Sequence, residues 1–279
     1  MTYQGPNAVM AEYWNETMGP TWVELQERLD AEIEPFGAAA MRALAPAPGE
    51  RILDIGCGCG QTSWQLAERT GPAGKVVGFD LSRTMLELAR GRPASLDTAL
   101  PSFIEGDAQV ADLGTGFDAV FSRFGWMFFS DPTAAFANIR KSLRPGGRLA
   151  MVTWRTLAEN PLFTVPAEAA APYIDPSPPP QPDTPGPFRY GDFGLARQAL
   201  ADAGFSDIAA APFDAPVGVK DLDGALLLAL RLGPLGAALR QAPALRERVS
   251  AAVREALGRF QTPDGINIPA AVWIVTAKV

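Results

Sequence analysis

Three glycines, each separated from the next by one residue, follow a short apolar run. They form the first segment of the chain whose residue types and spacing could bind a ligand. The segment reads I-L-D-I-G-C-G-C-G over residues 52–60. Glycine lets the backbone of a turn approach a ligand where a side chain would clash. Asp80 ends the next β-rich run, about 20 residues further on, where a carboxylate can accept both hydroxyl groups of a ribose. Strand, glycine turn and acid together predict a nucleoside-binding site.

The spacing of the glycines separates two kinds of nucleoside site. A dinucleotide fingerprint has the form G-x-G-x-x-G, whereas this turn reads G-x-G-x-G and continues with Gln61 and Thr62. The spacing disfavours NAD, and the chain shows no evident Tyr-x-x-x-Lys pattern or histidine relay. The alternative to a nucleoside site is a purely structural turn, in which the glycines only let the strand pack against the helix.

Alternating strands and helices are predicted to position these residues. β-rich runs occur at residues 51–55, 75–79, 101–104, 117–122, 148–154, 205–212 and 270–277. Helical spacing is present at 61–69, 82–90, 133–143 and 193–203, and one or more helices are expected over 222–259. This alternation predicts an α/β fold with a doubly wound parallel sheet covered by helices on both faces.

The chain divides into four segments by composition. They are a helical N-terminal lid at 1–48, a core at 49–154, a proline-rich lid insert at 155–192, and the remainder of the core at 193–279 with a helical cap insert at about 219–260. Because proline removes a backbone donor and fixes φ, the stretch from 155 to 190 is predicted to contain neither regular helix nor central strand.

Four ordered motifs resemble those of the class I S-adenosylmethionine-dependent methyltransferases that act on small molecules. They are L-D-I-G-C-G-C-G at 53–60, E-G-D-A at 105–108, F-D-A-V at 117–120 and L-R-P-G-G-R-L at 143–149. The resemblance implies a Rossmann-like, seven-stranded doubly wound sheet with an N-terminal lid and inserted cap segments. It also implies S-adenosylmethionine as the cofactor and S-adenosylhomocysteine as its product.

The same resemblance implies roles for individual residues around that cofactor. The glycines would lie along its amino-acid portion, Asp80 would bind the ribose, Leu81 would pack on the adenine, and Asp107 with Ala108 would hold the adenine. Asp54 would organise the site near the methionine portion of the cofactor, and Ser122 lies at the end of the fourth strand. Tyr13 and Trp14 belong to the N-terminal lid. The complete set is Asp54, Gly56, Cys57, Gly58, Gly60, Asp80, Leu81, Asp107, Ala108, Ser122, Tyr13 and Trp14.

An apolar acceptor site is predicted beyond the ends of the fourth and fifth strands. Parallel sheets bind ligands at the carboxyl ends of their strands, and aromatic residues follow the fourth strand here. The candidate substrate-binding residues are Arg123, Trp126, Met127, Trp154 and Tyr190. A structural salt bridge is the alternative role for Arg123.

The absence of histidine limits the chemistry. The chain has no histidine, so a histidine-assisted transfer is impossible. No acidic cluster suited to a catalytic cation follows the fourth strand, and no metal is predicted. Direct transfer by positioning and desolvation is expected, with the catalytic residue unassigned. Side chains that could supply a base from the lids are Tyr13, Glu159, Asp175 and Tyr190.

Composition limits the partners. A net charge of −7 and an isoelectric point near 4.8 disfavour a nucleic-acid partner, and S-R-F-G at 122–125 replaces the Asn/Asp-Pro-Pro-Tyr/Phe motif of many nucleic-acid methyltransferases. No apolar run reaches the roughly 20 residues of a membrane span, and no signal peptide is evident. A cytoplasmic, bacterial protein without a membrane partner is predicted, with a homodimer left open.

The sequence and the resemblance favour O- or C-methylation of a small apolar or aromatic metabolite, of the quinone or secondary-metabolite type. Three alternatives remain open. They are N-methylation of a small amine, non-catalytic binding of S-adenosylmethionine, and NAD-dependent oxidoreduction.

Overall fold

A computed structural model of the protein describes residues 3–93, 99–175, 181 and 184–279. Its centre is a sheet with the strand order β3-β2-β1-β4-β5-β8-β6, and the short β7 pairs with β8. The strands are β1 Arg51–Ile55, β2 Lys75–Asp80, β3 Ser102–Glu105, β4 Phe117–Arg123, β5 Leu143–Trp154, β6 Ser206–Val219, β7 Gln261–Thr262 and β8 Gly265–Lys278.

Helices cover the sheet and extend beyond one end of it. They are α1 Ala8–Glu12, α2 Met18–Glu24, α3 Gln26–Leu44, α4 Gln61–Thr70, α5 Arg83–Gly91, α6 Pro132–Ser142, α7 Pro161–Ala170, α8 Phe193–Asp202, α9 Leu222–Arg231, α10 Gly233–Gln241 and α11 Arg246–Gly258. A π-helical turn, Tyr13–Thr17, joins α1 to α2. Local sequence fixes several starts: the Ser82 hydroxyl caps α5 and the Asp131 carboxylate caps α6.

The predicted fold class is confirmed, and the structure adds the direction of the last strands. β1 to β5 pair in parallel, whereas β8 runs antiparallel to both β5 and β6. The sequence predicted shorter strands at 205–212 and 270–277. β6 and β8 are longer because they pair with each other from Ser206↔Lys278 to Val219↔Ile266, and helices α9 to α11 lie between them in the chain.

The expectation that residues 155–190 contain no regular helix was wrong, because α7 lies within this stretch. Pro161 occupies the first turn of α7, where a backbone N–H has no partner inside the helix in any case. Pro166 lies inside the helix, which removes one internal hydrogen bond. The prolines at 176–180 and 182 lie outside the described residues, so a lid formed by them stays a prediction.

The core lies between the sheet and the helices on its two faces. Ile52, Val120 and Ala150, on three adjacent strands, are completely buried, as expected for a sheet covered on both sides. Among the described residues, no single helix is long and apolar enough to cross a membrane, and α9 with α10 passes that test only as a pair bent by 64°.

Candidate functional site

A cavity of about 290 Å³ opens at the carboxyl ends of β1, β2 and β4. Its walls come from these strand ends, from the N-terminal helices, and from α7, α9 and α10, which together are mainly apolar. Several residues predicted from sequence share it. They are Tyr13, Trp14, Gly56, Cys57, Gly58, Asp80, Leu81, Ala108, Arg123, Met127 and Trp154.

Two glycines of the first motif serve different purposes. A Cβ at Gly56 would lie 2.6 Å from the Cα of Gly125, so the turn passes directly against the backbone that follows β4. A Cβ at Gly58 would meet nothing closer than the sulfur of Met85 at 3.8 Å. Both have positive φ, which glycine adopts at little cost. Gly56 therefore allows close packing, whereas Gly58 brings its backbone to the cavity wall.

The Asp80 carboxylate joins the end of β2 to the glycine turn. Its Oδ2 accepts a hydrogen bond from the Gly58 N–H at 2.8 Å, and its Oδ1 accepts one from the Ser82 N–H at 2.8 Å. Burial raises the pKa of this carboxyl. A carboxylate oxygen has two lone pairs, so each oxygen retains capacity to accept a hydroxyl proton from a ligand. This donor set fits the ribose of a nucleoside cofactor.

Asp54 lies beneath the turn and does not line the cavity. Its Oδ2 accepts hydrogen bonds from the hydroxyls of Thr62 at 2.7 Å and Ser63 at 2.6 Å, at the start of α4. Its Oδ1 is buried with no partner among the residues that the structure describes. Burial raises the pKa of Asp54 to about 6. The side chain ties β1 to α4 and leaves one acceptor atom available close to the glycine turn.

Asp107 is engaged by the N-terminal segment. The Tyr3 hydroxyl donates to it at 2.6 Å, the Asn7 amide nitrogen at 2.9 Å, and the Gln109 N–H at 2.9 Å. Ala108 lines the cavity, but Asp107 does not. Ligand access to this carboxylate would therefore require the tyrosine or the asparagine to give up its hydrogen bond.

The N-terminal helices are attached to the end of β2 by three hydrogen bonds. The Ser82 hydroxyl donates to the Trp14 carbonyl at 2.8 Å, the Asn15 amide donates to the Leu81 carbonyl at 3.1 Å, and the Arg83 N–H donates to the Asn15 side chain at 2.9 Å. The Trp14 ring packs edge-on against Trp22 and Phe128, with centroid separations of 5.8 and 5.2 Å. An aromatic wall thus closes one side of the cavity.

Arg123 belongs to a buried polar network. Its Nη2 lies 3.4 Å from Oδ1 of Asp30, and its Nη1 donates to the Gln61 side chain at 2.6 Å. Asp30 also pairs with Arg92. Burial lowers the pKa of Arg123. The network joins α3 to the region of the glycine turn, and Asp30, which sequence reasoning missed, completes it.

Besides Asp54 and Asp107, four more predicted site residues lie outside the cavity lining. Ser122 is fully buried and its hydroxyl donates to the Ile55 carbonyl at 2.7 Å, which ties β4 to β1. Gly60 begins α4. Trp126 and Tyr190 are stacked on each other with centroids 4.6 Å apart, and the Trp126 indole donates to the Val152 carbonyl at 2.7 Å. Both rings therefore make packing contacts outside the cavity.

Removing the Tyr190 hydroxyl is expected to leave the protein equally stable or more stable. This oxygen is buried with no hydrogen-bond partner among the described residues, and an unpaired buried hydroxyl costs about 1–3 kcal/mol. Urea unfolding of Tyr190→Phe should show a midpoint at or above that of the parent. A loss of more than about 1 kcal/mol would mean that the hydroxyl has a bonding role.

The side chains considered as bases occupy different surroundings. Tyr13 lines the cavity, and burial raises the pKa of its phenol. Glu159 is exposed, and its hydrogen bond with the Thr156 hydroxyl lowers its pKa. Asp175 is also exposed, and neither Asp175 nor Tyr190 contributes to the cavity lining. Tyr13 is the member of this group that a ligand in the cavity could contact.

Glu32 lines the cavity and was not singled out from the sequence. It lies on α3, is 7% exposed, and its Oε1 has no hydrogen-bond partner within the described part of the chain. Burial raises its pKa to about 8. A signal was available, because Leu29, Ile33 and Phe36 form the apolar face of α3 and Glu32 falls on that face at helical spacing.

The raised pKa of Glu32 predicts a pH-dependent stability. Between about pH 4.5, its ordinary pKa, and about pH 8, the folded state holds a proton that the unfolded state releases. Stability should therefore fall as pH rises through this window, by on the order of a few kcal/mol. Urea unfolding at pH 5 and pH 8 should show that Glu32→Gln gains stability relative to the parent at the higher pH. An unchanged pH slope would contradict a neutral, buried carboxyl.

Comparison with known proteins defines the class. Residues 46–172 match the family model described as a methyltransferase domain. A demethylmenaquinone methyltransferase from Lactococcus lactis is 33% identical over 41% of this chain and 46% of its own length, and the nocamycin O-methyltransferase from Saccharothrix syringae is 35% identical over 43% and 44%. The chain thus spans less than half the length of these relatives.

A solved structure supports the fold over nearly the whole chain. The [4+2]-cyclase SpnF superposes with a TM-score of 0.54 at 18% identity, covering 95% of this chain and 97% of that one. At this identity the match concerns the fold alone. The domain match and the methyltransferase relatives confirm the interpretation of the four motifs: residues 46–172 form a class I S-adenosylmethionine-dependent methyltransferase domain, whose cofactor is S-adenosylmethionine.

Proposed function

We propose that this protein transfers the methyl group of S-adenosylmethionine to a small aromatic acceptor, with O-methylation preferred over C-methylation. One observation supports this most strongly: Asp80 and Gly58, expected to bind the cofactor, line the same cavity as Trp154, which is expected to contact an aromatic acceptor. The glycine turn and Asp80 lie at the sheet, while Trp154, Phe124 and the cap helices form the other walls.

Each part of the cavity has a distinct task in this proposal. Asp80 and the Gly58 backbone bind and orient the nucleoside. Phe124 and Trp154 are stacked with ring centroids 4.3 Å apart, and they offer a flat apolar surface to an aromatic ring. Helices α7, α9 and α10 exclude water. The bound cofactor supplies an electrophilic methyl group, so the protein has to hold the acceptor oxygen in line with it.

The relatives support this substrate class without defining one substrate. One is named for a quinone and the other for O-methylation of nocamycin. The acidic net charge of −7 favours a small molecule over a nucleic acid as the acceptor. A non-transferring role is the second candidate, because the fold is shared with a protein named as a cyclase, and a shared fold does not determine the reaction.

The test combines binding and transfer. Isothermal titration should give about micromolar affinity for S-adenosylmethionine and S-adenosylhomocysteine and no binding of NAD. Radiolabelled methyl transfer should then be measured against a panel of phenols and quinols. Cofactor binding with no transfer to any of them would favour the non-transferring role, and preferential binding of NAD would overturn the proposal.

A further inference from the structure

Glu32 is a buried carboxylate without a structural task that the fold accounts for. Its side chain is 7% exposed and lines the cavity, and its Oε1 has no hydrogen-bond partner among the described residues. It forms no ion pair within the part of the chain that the structure describes. Desolvating an unpaired carboxyl is costly, and such a group inside a cleft is a candidate for contact with a ligand.

The other acidic residues that line the cavity have hydrogen-bond or ion-pair partners. Asp80 accepts two backbone hydrogen bonds, and Asp30 is paired with Arg92 and Arg123. The cavity that Glu32 lines also contains apolar side chains from α3, α9 and β8, including Leu29, Leu228 and Ile268. Glu32 is therefore a cavity-lining carboxylate with an unpartnered oxygen, in a cavity whose walls are mainly apolar.

Charged groups on neighbouring elements are engaged elsewhere. Arg28, on the same helix, is the cation that acts on Glu32, and it opposes the effect of burial. Glu68 and Arg69 of α4 are exposed. Charged side chains on α2 and on strands β4, β5, β6 and β8 form ion pairs with residues other than Glu32. They include Glu24, Asp118, Arg123, Arg148, Asp214 and Lys278. The field at Glu32 is thus set by burial and by Arg28.

We propose that Glu32 accepts a hydrogen bond from the hydroxyl group of an aromatic acceptor, a phenol or enol, and takes its proton during O-methylation. The inference rests on the proposed methyltransferase function. In the step, an electron pair of the acceptor oxygen forms the O–C bond to the methyl carbon. The S–C bond breaks and its pair stays on sulfur, while the O–H proton passes to the Glu32 carboxylate and from there to water.

The acid–base properties of this carboxyl suit the task. Burial raises its pKa to about 8, and a general base is most effective when its pKa lies near the working pH. In a chain without histidine, Glu32 supplies a base in that range. The positive charge of a bound sulfonium would favour its ionised form.

The proposal also predicts discrimination between acceptor and product. A methyl ether has no O–H to donate, so binding it leaves Glu32 unpaired, and a site built to bond a hydroxyl rejects the analogue that lacks it. With S-adenosylhomocysteine present, the parent should bind 1-naphthol about tenfold more tightly than 1-methoxynaphthalene. Glu32→Leu should reduce this ratio to about one, because leucine cannot accept a hydrogen bond.

The decisive experiment measures binding and transfer with the parent, the two Glu32 variants and one control variant. Glu32→Gln keeps the shape and an acceptor oxygen but takes no proton, so transfer from S-adenosylmethionine to 1-naphthol should fall about 100-fold or more. The parent rate should rise with pH toward about pH 8, and this dependence should disappear in the variant. Glu27→Gln, which changes an exposed carboxylate on the same helix outside the cavity, is the matched control and should leave the rate unchanged.

Failure of this proposal is distinguishable from failure of the proposed function. All variants should bind S-adenosylhomocysteine with the affinity of the parent. If the parent binds S-adenosylhomocysteine but neither binds nor methylates 1-naphthol, or if Glu32→Leu retains the tenfold ratio, the role of Glu32 is overturned and the cofactor assignment stands. If the parent binds no S-adenosylhomocysteine, the proposed function itself fails.

Discussion

Replacement of Asp80 by asparagine is expected to weaken binding of S-adenosylmethionine by about 100-fold. The carboxylate lines the cavity at the end of β2, where the ribose hydroxyls would donate to it. A hydrogen bond to a charged group contributes about 1.5–3 kcal/mol, and 1.4 kcal/mol corresponds to a tenfold change in affinity. Asparagine keeps one oxygen but loses the charge and half the acceptor capacity, so both ribose contacts should weaken.

The variant must be separated from a general loss of structure, because Asp80 also accepts hydrogen bonds from Gly58 and Ser82. Glu105→Gln is the matched control: Glu105 lies opposite Asp80 in the register of β2 and β3, but it forms an exposed ion pair with Arg83 and does not line the cavity. Titration calorimetry should show parent-like affinity for this control. Parent-like affinity in a folded Asp80→Asn protein would remove the ribose assignment.

The parts of this fold that were predictable have strong local signals. The strand at 51–55, the glycine turn and the helix predicted at 82–90 depend on residues close together in sequence, and the structure has them where the sequence predicts. The extents of β6 and β8 were underestimated because each strand is stabilised by pairing with the other, which is a nonlocal effect. Helix α7 was missed because the proline density of the whole stretch 155–190 was interpreted as excluding helix, although α7 precedes the densest prolines and one proline starts it.

In the site, too, the residues with local sequence signals were predictable and those placed by nonlocal packing were not. The nucleoside side of the cavity was predictable because its residues fall within contiguous motifs. The acceptor side depends on how α3, α7, α9 and α10 pack over the sheet, and no local pattern encodes that packing. Trp126 and Tyr190 were plausible contacts by position, yet they stack on each other outside the cavity lining. Glu32 was visible only as a charged residue on an apolar helix face.

The second large effect is expected at Gly56, where alanine should destabilise the protein by about 3–4 kcal/mol. Two costs add. A positive φ of 68° strains any residue with a Cβ by about 1–2 kcal/mol. The Cβ would also lie 2.6 Å from the Gly125 Cα, and because both partners are backbone, the turn and the chain after β4 must separate, which costs a further 1–3 kcal/mol, roughly.

Gly146→Ala isolates the first of these costs. Gly146 has a similar φ of 75°, but a Cβ there would meet no atom within 4 Å. Urea unfolding should therefore give a loss of about 1–2 kcal/mol for Gly146→Ala and at least twice that for Gly56→Ala. The Gly56 variant should also lose cofactor affinity, since separation of the turn displaces the Gly58 N–H that Asp80 holds at 2.8 Å. Equal losses in the two variants would show that backbone strain alone, without close contact between the strand ends, explains why glycine is present at position 56.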